Sequence, residues 1–312
     1  MPNTYATNAI LYDDILDNPS ATRIKRLAEL MKTRGRRKEG RFLIEAPQAV
    51  REALLYRPDL VQDLYIEVDG DGVPVSERAA QMQTELLAGS PERVADGQRR
   101  VFIHHVSSRV MNAVTGDAQG ILAVAAMGDL VRSLADFHIK EQESQGGADT
   151  QPDRGLVAAF WQVRDPGNAG TVIRSCDAAG ASAVVFVDDC VTPFSPKVVR
   201  ATAGSLFHIP MLRASVDEWF DWCSEQSLPV IAADVYGTEA RRPVALPDVL
   251  RQAHADDNAI DAEAPSRAVL FGNEARGLEP EVIDRCGQVV SIPIYGKAES
   301  LNLATSASVL LY

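Results

Sequence analysis

Three polar segments in the second half of the chain carry side-chain types that binding and catalysis need. They cover residues 164–174, 272–277 and 299–302. A cation and amides can hold an anionic ligand, while a carboxylate and a hydroxyl can orient a ligand or manage a proton. These groups are Asn168 and Arg174 in the first segment, Glu274 in the second, and Ser300 and Asn302 in the third. Together they indicate a site for a polar or charged ligand.

Purely structural explanations remain open for the first and third segments. Residues 165–168 read Asp-Pro-Gly-Asn, which is typical of a β-turn and would leave Arg174 as a surface cation. Ser300 and Asn302 directly precede an apolar stretch at 303–311, where both residue types are suited to capping a helix. Capping and binding are therefore alternative roles for the same side chains.

The segment 272–277 reads Gly-Asn-Glu-Ala-Arg-Gly, and its glycines would let a flat ligand approach the backbone closely. It lacks the G-x-G-x-x-G order of dinucleotide sites and the Lys-Ser/Thr ending of a P-loop. Dinucleotide and ATP binding are poorly supported for that reason, and a nucleotide-dependent oxidoreductase ranks last among the candidate classes. Glu274 and Arg276 are also compatible with a solvated pair in a loop.

Alternating strands and helices must position these segments. From residue 155 onward, apolar runs of strand length alternate with helical stretches, which predicts an α/β domain with a parallel sheet covered on both faces. Strands are predicted at 156–163, 182–187, 207–211, 230–235, 268–271 and 289–294. Ligands of such sheets bind at the carboxyl ends of the strands, and each polar segment follows a predicted strand.

Four regions are predicted along the chain. Residues 1–20 form a polar N-terminal lead-in, 21–127 a small α/β domain, 128–154 a flexible acidic linker, and 155–312 the parallel-sheet domain. The linker is predicted from a stretch rich in Glu, Gln and Gly at 141–153, where the hydrophobic periodicity stops.

The composition is that of an ordinary globular protein. The chain has 312 residues, of which 46% are hydrophobic. Its apolar runs have strand length and its N-terminus is polar and acidic, so we expect no signal peptide, no membrane span and a cytoplasmic location. Cys176, Cys190, Cys223 and Cys286 form no C-x-x-C pair, which favours reduced packing residues and no metal site.

One segment is basic although the whole chain is acidic. The formal net charge is −12, whereas residues 21–57 contain eleven Lys and Arg against four Glu. Such a basic patch is what a nucleic-acid phosphate backbone attracts. A solvated helix face explains the same charges without any ligand, so both interpretations stay open.

The order and spacing of the three polar segments resemble the motifs of the SpoU/TrmH family of RNA ribose 2′-O-methyltransferases, within the SPOUT superfamily. The first motif reads Asp-Pro-Gly-Asn-Ala-Gly-Thr-Val-Ile-Arg-Ser at 165–175. The second reads Leu-Phe-Gly-Asn-Glu-Ala-Arg-Gly-Leu at 270–278. The third combines Ile-Pro-Ile at 292–294 with Glu-Ser-Leu-Asn-Leu at 299–303.

This resemblance implies a deep trefoil knot in the C-terminal domain, S-adenosylmethionine bound in the knot, no metal, and a homodimer whose site is completed near the subunit interface. The implied cofactor contacts are backbone groups around Gly272, Ile292 and Leu301. The positions implied in catalysis or substrate placement are Asn168, Arg174, Glu274, Ser300 and Asn302. A guanidinium hardly ever loses its proton, so Arg174 is interpreted as a clamp on a neighbouring phosphate that stabilises the developing alkoxide.

The N-terminal region resembles, more weakly, the L30e-like RNA-binding domain that precedes many of these enzymes. The likeness rests on residues 41–46 and 119–124, with Ala46 at a position where that domain often carries Gly. The predicted RNA-binding residues are Arg34, Arg36, Arg37 and Arg41. The implied substrate is RNA, with 23S rRNA favoured; a tRNA 2′-O-methyltransferase and a noncatalytic RNA-binding protein that retains the fold are the alternatives.

Overall fold

The computed structural model describes residue 5 and residues 9–88, 100–139, 155–255 and 266–312. The packing divides the chain into two compact units. The N-terminal unit comprises Met1–Leu130 with Thr192–His208, and the C-terminal unit comprises Val131–Val191 with Ile209–Tyr312. Within the described ranges, no helix has both the length and the apolar character that crossing a membrane requires.

The N-terminal unit is built on a mixed five-stranded sheet. Its strands are β1 (Ala9–Leu16), β2 (Arg41–Glu45), β3 (Val61–Glu67), β4 (Val101–Val106) and β5 (Ile121–Ala126), in the order β1-β4-β3-β5-β2. Its helices within Met1–Leu130 are α1 (Thr22–Glu29), α2 (Thr33–Glu39), α3 (Pro47–Tyr56), α4 (Glu77–Leu87) and α5 (Ser108–Val114). Apolar residues of α1 and α5 form one buried cluster with Leu43, Tyr65 and Leu122 of the sheet.

Strand β1 contradicts the predicted lead-in over residues 1–20. It pairs in parallel with β4, with a register shift between Leu11 and Ile15. Its central side chains are exposed, Asp13 and Asp14 among them, because β1 lies at the edge of the sheet. An edge strand is held by backbone hydrogen bonds, which need no apolar pattern, and hydrophobic periodicity therefore does not reveal it.

The C-terminal unit is built on an eight-stranded sheet in which every pair of neighbours is parallel. The strands are β6 (Val131–Ser133), β7 (Leu156–Trp161), β8 (Ala183–Val187), β9 (Met211–Ala214), β10 (Val230–Ala233), β11 (Val244–Ala245), β12 (Arg267–Phe271) and β13 (Gln288–Ser291), in the order β11-β13-β10-β12-β7-β8-β9-β6. Its helices are α6 (Pro166–Ala178), α8 (Val216–Glu225), α9 (Leu246–Ala255), α10 (Pro280–Asp284) and α11 (Leu303–Leu311), whereas α7 (Pro196–Ala201) belongs to the N-terminal unit.

Strands β7 and β8 are buried along their whole length, which is the pattern of strands covered on both faces. The predicted parallel α/β sheet is thereby confirmed. The central order β13-β10-β12-β7 brings together the carboxyl ends of strands that are far apart in sequence. The trefoil knot stays a prediction.

Two predicted boundaries differ from the packing of the described residues. The predicted linker 128–154 begins with β6 and a 3₁₀ turn at Leu134–Asp136, and both belong to the C-terminal unit, where β6 pairs with β9. Linker residues 140–154 lie outside the described residues. The strand predicted at 207–211 is displaced, since β9 begins only at Met211.

The segment Thr192–His208 follows β8 in sequence but packs within the N-terminal unit. A buried carboxylate explains this placement, because Glu45 at the end of β2 has no exposed surface and forms an ion pair with Arg200 of α7. Phe194 adds an aromatic contact to Phe42, with ring centroids 5.0 Å apart. A buried carboxylate without a cation is strongly unfavourable, so Glu45 requires this segment as its partner.

Candidate active site

A cavity of about 440 Å³ opens in the C-terminal unit at the carboxyl ends of β10, β12 and β13. Its wall consists of the segments after these strands, 234–237, 272–278 and 291–294, together with Leu301 and Leu303. Small-molecule sites typically have volumes of roughly 300–1,000 Å³. The size and the position at the carboxyl edge of a parallel sheet make this cavity the candidate ligand site.

The segment 272–278 forms a tight loop at the cavity. Asn273 and Gly277 exchange backbone hydrogen bonds of 3.0 and 2.9 Å, and the Asn273 side-chain amide donates to the carbonyl oxygen of Gln162 at 2.7 Å. Gly277 has a φ of +68°, and a Cβ on Gly272 would lie 2.4 Å from the carbonyl carbon of Gly277. The loop therefore requires glycine at both ends.

The three predicted cofactor-binding positions all line this cavity. Gly272 directly follows β12, Ile292 directly follows β13, and Leu301 lies two residues before α11. Ser300, predicted as a catalytic residue, lines the same cavity beside Leu301. Positions from two separate sequence motifs are thus brought to one concave surface.

The carboxylate of Glu274 links the first polar segment to the second. Its Oε1 accepts hydrogen bonds from the backbone N–H of Asp165 at 3.1 Å and from Asn168 Nδ2 at 3.3 Å. Its Oε2 accepts from the backbone N–H of Arg164 at 3.3 Å and from Asn273 Nδ2 at 3.4 Å. Four donors match the acceptor capacity of a carboxylate, so this side chain ties the loop after β7 to the loop after β12.

Asn302 both caps a helix and joins the site. Its Oδ1 accepts hydrogen bonds from the backbone N–H groups of Ala304 at 2.9 Å and Thr305 at 3.4 Å, which confirms the predicted cap of α11. Its Nδ2 donates to Oδ1 of Asn168 at 2.9 Å. Asn302 therefore combines the two roles that the sequence presents as alternatives. Its amide oxygen caps α11, and its amide nitrogen contacts Asn168.

Arg174 lies on α6 with an exposed side chain. In the part of the chain that the structure describes, its guanidinium takes part in no hydrogen bond and no ion pair. The next residue, Ser175, shares a 2.8 Å hydrogen bond with Ser308 of α11, which holds the two helices together. The helix is therefore fixed while the guanidinium remains available to a ligand.

The structure adds a cavity segment that the sequence prediction does not single out. Residues 234–237 read Asp-Val-Tyr-Gly, and Asp234 Oδ1 accepts the backbone N–H groups of Tyr236 and Gly237, each at 2.8 Å. The sequence contains a signal for this loop, because an Asp and a Gly closely follow an apolar run. The predicted strand at 230–235 includes Asp234 and therefore hides the start of the loop, whereas β10 ends at Ala233.

Three of the four predicted RNA-binding arginines are exposed on the N-terminal unit, namely Arg34, Arg37 and Arg41. Arg36 is wrong as a contact residue, because its side chain is buried and its guanidinium is engaged in hydrogen bonds at the end of α1. Sequence spacing alone does not separate buried from exposed cations in a short basic helix.

The four cysteines are free thiols, and Cys176, Cys223 and Cys286 are buried. Burial raises the pKa of Cys176 and raises that of Cys190 to about 11, so both thiols remain protonated near neutral pH. No group of three or more His, Cys, Asp and Glu side chains is arranged to hold a metal ion within the ranges described above.

The chain resembles known proteins in sequence. A model of the SpoU rRNA Methylase family matches residues 155–312. The 23S rRNA (guanosine(2553)-2'-O)-methyltransferase RlmP of Bacillus subtilis is 34% identical over 150 residues, covering 48% of this chain and 54% of the relative. The 23S rRNA (uridine(2479)-2'-O)-methyltransferase of Streptomyces viridochromogenes is 36% identical over 161 residues, covering 50% and 51%. The matches thus span about half the length of these curated relatives.

Solved structures also resemble the chain over nearly its whole length. For example, the AdoMet-bound rRNA methyltransferase from Sinorhizobium meliloti aligns with a TM-score of 0.66 and 26% identity. The alignment covers 98% of this chain and 96% of that chain, so it includes residues of both compact units.

Proposed function

The chain belongs to the SpoU rRNA methylase family, and from this premise we propose that it transfers a methyl group from S-adenosylmethionine to a ribose 2′-hydroxyl of RNA. One observation carries the proposal. Glu274, which lines the cavity, is hydrogen-bonded to Asn168, which is hydrogen-bonded in turn to Asn302. One polar residue of each motif is thereby linked in a chain of hydrogen bonds that begins at a cavity of ligand size, which suits a reaction between a bound cofactor and a second substrate beside it.

The cavity residues fit S-adenosylmethionine, which when bound supplies an electrophilic methyl group on a sulfonium. The adenosine part needs hydrogen-bonding groups at short range and apolar contacts to its ring. Backbone groups at Gly272 and Ile292 lie at the cavity wall, and the side chains of Leu301 and Leu303 add apolar surface. Gly272 supports this assignment, because a side chain there would collide with the backbone of Gly277 and displace the wall.

Arg174 is proposed to hold the phosphate beside the target ribose. A guanidinium presents five N–H donors in a planar fork that matches two phosphate oxygens. It stays protonated in proteins, so it does not take the proton of the 2′-hydroxyl. That proton passes to a phosphate oxygen or to water, and the positive charge of Arg174 stabilises the alkoxide that develops during transfer.

Asn168, Glu274 and Asn302 are proposed to act by positioning. Glu274 holds the loop before α6, and Asn302 holds Asn168 at the start of the same helix. Because Arg174 lies on α6, these contacts set where its guanidinium meets the RNA. Ser300, exposed at the cavity, is proposed to orient the ribose or the cofactor.

The favoured substrate is 23S rRNA. The support is that both curated relatives named above are 23S rRNA 2′-O-methyltransferases by name, and that the N-terminal unit exposes Arg34, Arg37 and Arg41. A cytoplasmic location and a homodimer are part of the proposal, and the homodimer is supported by the exposed apolar side chain of Val309 on α11. A second subunit would cover such surface.

The function is tested with purified protein, S-adenosylmethionine carrying a labelled methyl group, and three RNA samples. These are deproteinised 23S rRNA, assembled large ribosomal subunits and tRNA. We expect label in 23S rRNA, free or assembled, at a linkage that has become resistant to alkaline cleavage. Label in tRNA alone would replace the favoured substrate by the tRNA alternative. RNA binding without label in any sample would make the protein a noncatalytic RNA-binding member of the family.

The substitution Asn302→Ser separates the two roles of this side chain. Serine caps a helix about as well as asparagine, so the free energy of unfolding is expected to change by less than about 0.5 kcal/mol. The hydroxyl lacks the amide that donates to Asn168, and loss of one neutral hydrogen bond, about 1 kcal/mol, lowers kcat roughly fivefold. Thermal unfolding and steady-state methyl transfer measure the two effects. A wild-type kcat would remove the Asn302–Asn168 contact from catalysis.

A further inference from the structure

The α1–α2 junction, defined as residues 22–39 of the N-terminal unit, contains a buried arginine. Arg36 is only 3% exposed. Its Nη1 donates to the backbone carbonyl oxygens of Leu30 at 3.1 Å and Met31 at 2.7 Å, and its Nη2 donates to Oγ1 of Thr33 at 3.0 Å. No carboxylate pairs with this guanidinium among the described residues. The buried guanidinium is therefore hydrogen-bonded by backbone carbonyl oxygens in place of a carboxylate.

The acceptors explain how the charge is tolerated. Leu30 is the C-cap residue directly after α1, and Met31 follows it. Carbonyl oxygens at the end of a helix lack intrahelical donors and carry partial negative charge, so they stabilise a cation. Arg36 belongs to α2, and its side chain therefore fastens the middle of α2 to the C-terminal end of α1.

The preceding residue, Gly35, makes the closest approach between the two helices. A Cβ at Gly35 would lie 2.0 Å from the backbone carbonyl oxygen of Glu29, the last residue of α1. Helix α2 has only 7 residues and no side-chain cap at its N-terminus, and helices this short are not stable in isolation. The position of α2 thus depends on the contacts of Gly35 and Arg36.

Helix α2 presents three cations on its outer side. Arg34, Arg37 and Lys38 are exposed, and their spacing of three and four residues places them on one helix face. None of them forms an ion pair among the described residues. In a chain with a net charge of −12, this local positive face is complementary to the phosphates of an RNA backbone.

We propose that Arg36 is a positioning residue for RNA binding, because it fastens α2 to α1 and so presents Arg34, Arg37 and Lys38 together to the phosphate backbone. The inference rests on the proposed function for the identity of its partner, an RNA. Arg36 touches no phosphate itself. Its removal nevertheless weakens several phosphate contacts at once, since all three cations are carried by the helix that it holds.

The test measures the affinity of the full chain for a fluorescently labelled RNA hairpin over a series of salt concentrations. Each lost phosphate contact reduces the slope of log K against log salt by about 0.7–0.9. Arg36→Met is expected to reduce the slope by about 2, as much as the combined variant Arg34→Gln/Arg37→Gln/Lys38→Gln. In that triple-variant background, Arg36→Met is expected to cause no further reduction, because the cations that it positions are already gone.

The slope separates positioning from a general loss of folding. An unfolded fraction lowers the amplitude of the titration and leaves the slope of the folded protein unchanged. Gly35→Ala breaks the same junction independently and is expected to reproduce the slope of Arg36→Met. Arg109→Met is the control, because Arg109 belongs to the N-terminal unit, lies outside the basic segment 21–57 and pairs with Asp17 at 3.8 Å, and is expected to keep the wild-type slope.

Either of two results would overturn this inference while leaving the proposed function intact. One is a wild-type slope for Arg36→Met in a protein that binds the hairpin, and the other is an equal loss of slope with and without the three cations of α2. Failure of the wild-type chain to bind the hairpin would overturn this inference, whereas the proposed function is decided separately by methyl transfer to 23S rRNA.

Discussion

Arg174→Ala is expected to lower kcat for RNA methylation by about two to three orders of magnitude, as loss of a charge-stabilising donor typically does. The Kd for S-adenosylmethionine is expected to stay at the wild-type value, because Arg174 does not line the cavity. Its side chain makes no hydrogen bond within the described residues, so the contacts among Glu274, Asn168 and Asn302 survive the substitution. Single-turnover methyl transfer and calorimetric cofactor binding measure the two quantities separately.

Two further arginine variants show whether the effect belongs to this guanidinium. Arg174→Lys keeps the charge but loses the planar fork, so an intermediate rate is expected. Arg285→Ala removes an arginine of the same unit that pairs with Asp217 at 2.6 Å, and a wild-type rate is expected. Raising the pH is not expected to restore Arg174→Ala, because the substitution removes no base. Turnover close to wild type in Arg174→Ala would exclude this residue from the mechanism.

Gly272→Ala is expected to raise the Kd for S-adenosylmethionine about a hundredfold, equivalent to about 2.7 kcal/mol. The added Cβ would lie 2.4 Å from the carbonyl carbon of Gly277 and 2.6 Å from the backbone nitrogen of Leu278. Both atoms are backbone, so the loop itself must move. The paired hydrogen bonds between Asn273 and Gly277 close that loop, and their displacement alters the cavity wall. Calorimetric titration with the cofactor measures the change.

Gly287→Ala is the matched glycine control. A Cβ on Gly287 would lie 3.6 Å from the carbonyl oxygen of Val230, an ordinary contact distance, and the residue does not line the cavity. Cofactor binding is expected to equal that of the wild type. A wild-type Kd for Gly272→Ala would show that the loop after β12 does not hold the cofactor.

The core of the fold follows from local sequence patterns, whereas the sheet edges do not. Strands β7 and β8 are continuous apolar runs because both of their faces are covered, and such runs are visible in the sequence. Strands β1 and β6 lie at the edges of their sheets and are held by backbone pairing. Backbone hydrogen bonds do not depend on side-chain type, so composition and periodicity carry no signal for them.

For charged residues, too, the composition is visible in the sequence whereas the burial of each side chain is not. The basic character of residues 21–57 is evident from composition, yet Arg36 is buried while Arg34 and Arg37 are exposed. Glu45 is buried and requires Arg200, which lies 155 residues away in the chain. Burial depends on which elements meet in three dimensions, and neighbours in sequence do not specify that.

The class of this protein is already visible in its sequence, because three polar segments follow predicted strands in the order and spacing of one methyltransferase family. The sequence also placed Gly272, Ile292 and Leu301 among the candidates for one ligand site. The contacts of these side chains become visible only in the folded chain, where Glu274 accepts a hydrogen bond from Asp165 across 109 residues of sequence and Arg174 is unpaired among the described residues. The physical reason is that side-chain chemistry is local information, whereas hydrogen bonds and burial are set by distances between segments that meet only on folding.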